Sequence, residues 1–334
     1  MPGEVRIGTC GWSYPSGHGS WNGIFYPPAA ARRGRRFDEL AYYADHFDTV
    51  EVNSTFYRLP APETTRGWAA RTPPGFEFSV KLYQAFTHPG MIVGMGGPRE
   101  LRTRGVEKAA PVPVVTAQDV DEFRDSVDPL AEAGKLGAIL VQFPPSFKQT
   151  PQTVDYLEWL LQALGGYSLA VELRDRTWSD SLDTTLALLK GHGAAWVQID
   201  EPKFRFSVRQ NRLPNVSSVY YMRLHGRNAE KWWKHDQSED RYDYLYSPAE
   251  LKPFAEAVAA VRTIVRKAYL YLNNHFAAKA VADAVELKHQ LDEPVTGEYR
   301  QELLEAYPFL RDIAGCTAER TLLPPLPPKD SPLS

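Results

Sequence analysis

Cysteine is scarce in this sequence, with only Cys10 and Cys316 among 334 residues. Two distant thiols form no spaced framework for disulfides or for a metal site, and they favour a reducing compartment. No apolar run approaches the roughly 20 residues that cross a bilayer, and the N-terminus lacks the charged-then-apolar pattern of a signal peptide. We therefore expect a cytoplasmic protein without a membrane partner.

The sequence also lacks a strong charge of either sign and the common cofactor motifs. Its formal net charge is −3, so no overall charge attracts nucleic acid or a membrane. The histidines show neither HxxxH nor HxH spacing. The glycine-rich run 94–98 follows no predicted strand and opens no predicted helix, which argues against a dinucleotide site. We predict no metal and no cofactor.

What the chain does contain is eight short segments of two-residue alternation, each followed by a helix or a helix-bearing segment. This order predicts an α/β fold, a single (β/α)8 TIM-type barrel with long βα loops. A doubly wound open sheet is the alternative, but it would need a glycine-rich turn directly after an early strand. We assign residues 1–315 to the barrel and 316–334 to a proline-rich C-terminal tail. The predicted strands are residues 5–11, 49–53, 76–82, 136–143, 168–174, 194–200, 219–225 and 268–274.

The alternation places polar side chains on one face of every predicted strand. In the segment DTVEVNSTFY, Thr49, Glu51 and Asn53 share one face, and Val50 and Val52 share the other. A strand in a helix-covered parallel sheet is normally apolar on both faces, and charges are not buried without partners or a function. The same phase in eight strands predicts a polar interior that ends at the carboxyl ends of the strands. Barrel enzymes carry their sites at this end, which we call the mouth.

The candidate site residues stand at the mouth or in the turns directly beyond it, and they predict a ligand-binding or catalytic pocket. The candidate catalytic residues are Glu51, Lys81, Glu172 and His225. The candidate substrate-binding residues are Cys10, Trp12, Asn53, Tyr57, Gln142, Arg174, Asp200, Arg223, Asn273 and His275.

A purely structural ion-pair network is the alternative for the same region. Unpaired buried charges cost several kcal/mol each, so carboxylates and cations in one interior are expected to pair. The deeper residues Arg6 and Glu77 are expected to be structural. The balanced set would be Glu51, Glu77, Glu172 and Asp200 against Arg6, Lys81, Arg174 and Arg223.

Several single residues allow both a catalytic and a structural role. Glu51 with Glu172 has the composition of a glycoside hydrolase pair, but both are also suited to orienting a substrate or pairing with cations. Lys81 is compatible with a Schiff base, or with a salt bridge to one of these carboxylates. The strand-end histidines fit a proton shuttle or a simple hydrogen bond. Cys10 fits a nucleophile or a small packing residue.

The loops after the sixth and seventh strands are basic and aromatic, and we expect them to open at the mouth. Such a rim favours an anionic or planar ligand such as a phosphate, a carboxylate, a sugar or a nucleobase. A solvated loop diluted by acidic residues is the alternative. The long segment 83–116 has little periodicity and is either functional or disordered. The rim residues are Lys203, Arg205, Arg209, Arg212, Arg227, Lys231 and Lys234, with Trp232, Trp233, Tyr242, Tyr244 and Tyr246.

Several motifs occur together in order: IGTCGWSY from residue 7, TVEVNSTFYRLP from 49, FSVKL from 78, VQFPPSF from 141, VELRDRTW from 171, YMRLHGR from 221, RYDYLYS from 241 and YLNNH from 271. This set resembles the YecE-like family, domain of unknown function 72. The resemblance covers most of residues 5–291. It implies a TIM-type barrel and motif positions, and it implies no reaction.

Two kinds of function follow from the predicted mouth. One is an enzyme, a hydrolase or lyase that uses acid/base residues on an anionic or polyhydroxy substrate, with a metal-assisted phosphodiesterase similar to endonuclease IV barrels as a variant. The other is a non-catalytic module that binds a nucleic acid or a metabolite. The expected partner is a small anionic or polar ligand, with nucleic acid as the alternative, and the expected state is a monomer.

Overall fold

A computed structural model describes residues 2–32, 37–88, 112–232 and 238–315. The predicted tail 316–334, most of the predicted loop 83–116, and Trp233 and Lys234 of the predicted rim lie outside these described residues.

Strands and helices alternate along most of the described chain, and all neighbouring strands are parallel. The exception is the sixth predicted strand, because residues 201–218 after it contain no helix, so the expected helix-bearing segment is wrong there. The strands are β1 (Glu4–Thr9), β2 (Thr49–Val52), β3 (Glu77–Lys81), β4 (Leu136–Gln142), β5 (Leu169–Glu172), β6 (Ala195–Trp196), β7 (Gln198–Asp200), β8 (Val219–Leu224) and β9 (Lys267–Leu272). All eight predicted strands are therefore present. The predicted sixth strand is divided into β6 and β7, with Val197 between them.

The α-helices are α1 (Glu39–Ala44), α2 (Ser54–Tyr57), α3 (Pro62–Ala70), α4 (Ala117–Glu132), α5 (Pro151–Ala163), α6 (Thr177–Asp180), α7 (Leu182–Gly191), α8 (Pro248–Val261), α9 (Lys279–Gln290) and α10 (Gln301–Ala306). Short 3-10 helices span Ala29–Arg32, Gln84–Phe86, Ser238–Tyr242, Phe276–Ala278 and Pro308–Leu310. The sequence prediction included neither α10 nor α2, whose residues 54–57 were expected to form a turn.

Side-chain caps explain where three of the long helices begin. The hydroxyls of Thr116, Thr150 and Ser247 each accept the backbone N–H three residues later, and that later side chain bonds back to the cap. These capping boxes satisfy backbone donors that have no partner inside a helix. They fix the helices that follow the loop after β3 and the strands β4 and β8.

The strands form two parallel sheets, in the orders β1-β9-β8-β7 and β2-β3-β4-β5-β6. This confirms the predicted α/β class with parallel sheets. The sheets meet at two places. At one, the bridge between Cys10 and Glu51 joins the ends of β1 and β2, and Gly11 N–H donates to the Glu51 carbonyl at 2.7 Å. At the other, only Val197 separates β6 from β7.

Side chains replace ladder hydrogen bonds where the two sheets meet. The Tyr43 hydroxyl accepts from Thr9 N–H at 2.9 Å and donates to the Thr49 carbonyl at 3.1 Å. Gly8 permits the close approach of β1 to β2, because a Cβ there would lie 2.2 Å from the Thr49 carbonyl oxygen. On the other side, the Asn215 amide bonds Trp196 N–H and the Ala194 carbonyl, both at 2.8 Å.

The register defines an inner face, on which polar residues stand as predicted for seven of the eight strands. For example, Arg223 of β8 is level with Tyr271 of β9, which is level with Gly8 of β1. The outer faces of these seven strands are mostly apolar and buried, as at Val50 and Val80.

The predicted phase of the sixth strand is wrong. Gln198 is level with Met222 and Asp200 with Leu224, so both lie on the outer face. Trp196 is level with Val171, again on the outer face. The short break at Val197 leaves Ile199 and Glu201 on the inner side instead.

Candidate functional site

Arg223, at the end of β8, is the centre of the polar interior. It donates to both oxygens of Glu51, at 2.9 Å from Nε and 2.7 Å from Nη2. Its Nη1 donates to Glu172 at 2.5 Å and to Gln142 at 3.2 Å. The Tyr221 hydroxyl also donates to Glu51, at 2.8 Å. Arg223, Glu51 and Glu172 are each at most 1% exposed, so this is a desolvated, multiply bonded arrangement.

A second guanidinium, that of Arg174, stands beside Glu172. Arg174 Nε lies 2.9 Å from Glu172 Oε1, an ion pair in which the N–H is not aligned as a hydrogen bond. Arg174 Nη2 lies 2.9 Å from Glu201 Oε2. The Arg174 side chain keeps 16% of its surface exposed, whereas Glu172 keeps none. Arg174 is therefore on the accessible edge of the site.

His225 lies between the two guanidiniums. Its Nε2 is 3.4 Å from nitrogens of both Arg223 and Arg174, and 3.6 Å from Glu172 Oε1. The Asn273 amide lies 2.9 Å from its Nδ1. Burial, and then the charge of Arg223, lower the pKa of His225 to about 3. The imidazole is neutral at physiological pH.

The carboxylate of Glu172 is held ionised. Burial opposes its charge, but Arg223 and Arg174 outweigh burial and hold the pKa of Glu172 well below its usual range. A carboxylate in this state accepts hydrogen bonds and cannot supply a proton near neutral pH. Burial, which Arg174 only partly offsets, raises the pKa of Glu201.

Lys81, at the end of β3, differs from the two arginines. In the part of the chain that the structure describes, no carboxylate lies within ion-pair distance of its Nζ. The ammonium instead lies over the Phe56 ring, 3.9 Å from the centroid. Burial, and then the positive charge of Arg223, lower the pKa of Lys81 to about 7. The expected salt bridge to Glu51 or Glu172 is wrong, because Arg223 and Arg174 already pair with these groups.

The model of a family described as "Protein of unknown function DUF72" matches residues 6–305 of this chain. The chain belongs to the DUF72 family. It is 26% identical over 305 residues to the UPF0759 protein YunF of Bacillus subtilis, which covers 88% of this chain and 96% of that protein. It is 29% identical over 171 residues to the UPF0759 protein YecE of Escherichia coli K12, or 51% of this chain and 48% of that protein. The YecE-like resemblance is confirmed.

Solved structures agree with this assignment. A DUF72 family protein of Thermotoga maritima is 31% identical to this chain, with a TM-score of 0.69 over 87% of this chain and 100% of the other. A DUF72 family protein of Enterococcus faecalis, 24% identical, has a TM-score of 0.70 over 88% of this chain and 98% of the other. The second likeness shows the fold alone.

The structure of the DUF72 chain brings most of the predicted site residues together. Cys10 is buried, its Sγ 3.8 Å from Arg223, and burial raises the pKa of its thiol well above the ordinary value. The thiol is therefore protonated, which favours packing over nucleophilic attack. The name "mouth cluster" is used below for Cys10, Glu51, Lys81, Gln142, Glu172, Arg174, Glu201, Arg223, His225 and Asn273.

The other predicted site residues are not part of the mouth cluster. Asn53 directly precedes α2, and its buried Oδ1 bonds to no described group. Tyr57 is 63% exposed. His275 is stacked on Tyr14, with ring centroids 4.3 Å apart. Trp12 packs edge-on against Trp68, at 5.4 Å, and so points away from the interior.

Asp200 is the clearest correction to the predicted site. Its carboxylate accepts from Arg227 at 2.8 and 3.0 Å and from the Tyr246 hydroxyl at 2.8 Å. The predicted balance of Asp200 against the inner cations is therefore wrong. Its partner is a rim residue, Arg227, on the outer side of the strand.

The deeper layer forms a separate network, as expected for Arg6 and Glu77. Glu77 accepts from Lys267 at 2.5 Å and from the Tyr269 hydroxyl at 2.6 Å, and Arg6 Nε lies 3.9 Å away. Arg6 pairs more closely with Asp48, at 3.2 Å. These groups pair with one another at the amino ends of the strands.

Sequence analysis missed two residues of the site. Glu201 was missed because the phase of the sixth strand was assigned wrongly. His88 lies edge-on to Phe56, 4.9 Å between centroids, and burial followed by the charge of Lys81 lowers its pKa to about 3. It lies within the segment 83–116, which has little periodicity, so the alternation of side chains offered no signal for it.

The described residues contain neither a cluster that could hold a metal ion nor a helix that could span a membrane. No three side chains among His, Cys, Asp and Glu are arranged there to hold a metal ion. No helix in the described ranges is both long enough and apolar enough to cross a bilayer.

Proposed function

We propose that this DUF72 chain is a lyase-type enzyme in which the Lys81 amine attacks the carbonyl carbon of a polyhydroxy substrate. The observation that carries the proposal is the unequal pairing within the mouth cluster. Arg223 and Arg174 hold the carboxylates of Glu51, Glu172 and Glu201, and no described carboxylate pairs with Lys81. With a pKa of about 7, a large fraction of this amine is neutral and nucleophilic at physiological pH.

The same pairing argues against hydrolysis by Glu51 with Glu172. Glycoside hydrolases need one carboxylic acid with a raised pKa that can protonate the leaving group. Glu51 already accepts three hydrogen bonds, from Arg223 twice and from Tyr221. Glu172 has a lowered pKa. Neither group is suited to general acid catalysis.

The proposed reaction begins with an imine. The Lys81 nitrogen forms a bond to the carbonyl carbon, its two protons pass to the carbonyl oxygen, and that oxygen leaves as water. A hydroxyl of the substrate then loses its proton to water and becomes a new carbonyl as the adjoining C–C bond breaks, and the C=N accepts the electron pair of that bond. The carbon that received the electron pair takes up a proton, and water hydrolyses the C=N to release the second carbonyl product and the free Lys81 amine. Arg174, on the exposed edge, is placed to bind an anionic substituent. The amides of Gln142 and Asn273 and the unpartnered Asn53 oxygen suit substrate hydroxyls.

Borohydride trapping tests this proposal. The protein is incubated with small hydroxylated aldehydes and ketones, free and phosphorylated, then reduced and analysed by intact mass and peptide mapping. We expect one reduced adduct on the peptide that contains Lys81, lost in Lys81→Met and kept in the exposed control Lys148→Met. An adduct of equal yield in Lys81→Met, or no adduct with any carbonyl compound, would sink the amine mechanism.

We also propose that the two sheets close into one (β/α)8 barrel around this site. The bridge between Cys10 and Glu51 supports closure on one side. On the other side, β6 and β7 belong to one extended segment interrupted only at Val197, and each pairs with a different sheet. Counted as one strand, they give the eight strands of a TIM-type barrel.

A further inference from the structure

A cavity of about 430 Å³ lies outside the mouth cluster, on the outer side of β7 and β8. Its size is in the range of small-molecule sites. No residue of the mouth cluster lines this cavity. The cavity is bounded by α8, by the segment after β5 and by the loop after β7. Its cationic lining residues are Arg176, Lys203, Arg205, Arg209 and Arg212.

The basic loop, residues 203–212, is held against the outside of the sheet. Its Ser207 pairs antiparallel with Asp175, and Val208 N–H donates to the Arg174 carbonyl at 2.9 Å. Farther along, Arg212 N–H donates to the Gln198 side chain at 3.0 Å. The backbone that carries these cations is therefore positioned by both neighbouring segments.

The cavity has an excess of positive charge. Its lining contains a single carboxylate, that of Asp200, which is already bonded to Arg227 and Tyr246. Among the described residues, no carboxylate lies within ion-pair distance of Arg205 or Arg209. Several cations around one concave surface raise the local concentration of anions.

The floor of the same cavity is apolar. Val208 and Met222 are each 1% exposed and Phe254 is 2% exposed. Phe204 also lines the cavity, and its ring is nearly parallel to that of Phe206, with centroids 5.5 Å apart. A cationic rim above an apolar, aromatic floor suits an anion with a planar body.

We propose that this outer cavity binds a nucleotide. The phosphate lies at Arg205 and Arg209, and the base lies toward the apolar floor beside Phe204. Both parts of the ligand are needed, because the cations recognise only the phosphate and the floor recognises only the planar body. This site is separate from the mouth cluster and does not depend on the chemistry proposed there.

Isothermal titration calorimetry on the full-length chain tests the proposal, with adenosine 5′-monophosphate, adenosine, ribose 5-phosphate and inorganic phosphate as probes. We expect the monophosphate to bind about tenfold tighter than any of the three fragments, a difference in the range of one charge-assisted contact. The double variant Arg205→Ser/Arg209→Ser should weaken that binding about tenfold or more. Arg66→Ser, which removes an exposed arginine on α3, should leave it unchanged.

Other results would overturn the proposal. These are no measurable binding of the monophosphate, an affinity unchanged in the double variant, or fragments that bind as tightly as the whole nucleotide. Tighter binding of a short single-stranded oligonucleotide, with a steep salt dependence, would assign the surface to nucleic acid instead. Lys81→Met should bind the nucleotide like the wild type, so the outcome is independent of the trapping experiment.

Discussion

Arg223 donates hydrogen bonds from two nitrogens to the two carboxylate oxygens of Glu51, at 2.7 and 2.9 Å, and both side chains are buried away from solvent. The same guanidinium holds Glu172 at 2.5 Å. Among the described residues, removal of Arg223 leaves Glu51 buried without a paired cation and leaves Glu172 with Arg174 alone. An unpaired buried charge costs more than the pair itself contributes. The stability of this polar interior therefore depends strongly on Arg223.

We expect Arg223→Met to lower the free energy of unfolding by about 3–5 kcal/mol, the range seen when one partner of a buried ion pair is removed. Urea denaturation followed by circular dichroism measures the change. The triple variant Glu51→Gln/Glu172→Gln/Arg223→Met removes the stranded charges as well, and it should recover part of the loss. Equal stability of Arg223→Met and the wild type would contradict the role assigned to this residue.

The two neutral histidines of the site predict how stability depends on pH. His225 and His88 have a folded pKa of about 3, against 6.5 for an ordinary histidine. Below pH 6.5 the unfolded chain binds protons that the folded chain does not, so stability falls as the pH drops from 6.5 toward 3. Each histidine contributes about 2 kcal/mol of loss between pH 7 and pH 5.

Chemical denaturation at these two pH values, on His225→Asn and His88→Asn, tests this dependence. Each variant should show a smaller difference between pH 7 and pH 5 than the wild type, whereas the exposed control His18→Asn should match the wild type. A variant whose pH dependence equals that of the wild type would show that its histidine titrates normally in the folded chain.

The Tyr43 hydroxyl joins β1 to β2, so we expect its removal to lower the stability of the structure where these two strands meet. Tyr43→Phe leaves Thr9 N–H and the Thr49 carbonyl without their shared partner, so we expect a loss of about 1–3 kcal/mol. Hydrogen exchange of the Thr9 amide should speed up by more than that of strand amides in β4. Tyr42→Phe is the matched control, because the Tyr42 hydroxyl bonds to no described group. Equal protection of Thr9 in both variants would contradict the bridging role.

Much of the fold followed from the alternation of side chains. That pattern predicted the eight strands and the polar inner face of seven of them, because each had one aliphatic face and one polar face. The sixth strand failed because its segment offers two consistent phases, Trp196–Gln198–Asp200 and Val197–Ile199–Glu201. Only the register against β5 and β8 decides between them.

The pairing within the site could not be predicted from the sequence. Counting charges gave a balanced set in which Lys81 paired with a carboxylate. In the structure, Glu77 forms an ion pair with Lys267 and Asp200 forms one with Arg227, whereas the Lys81 ammonium lies over the Phe56 ring. Partners across a sheet depend on side-chain reach and on which strand ends are level, and neither is encoded by spacing along the chain.

Arg174 contributes to both the mouth cluster and the outer cavity, through different atoms. Its side chain faces Glu172 and Glu201 in the mouth cluster, while its carbonyl accepts Val208 N–H from the loop of the outer cavity. Because the loop is anchored through the main chain, trimming the side chains of Arg205 and Arg209 leaves that anchor intact. The mouth cluster and the outer cavity therefore meet at Arg174, and yet substituting side chains in the cavity is expected to leave the mouth cluster unchanged.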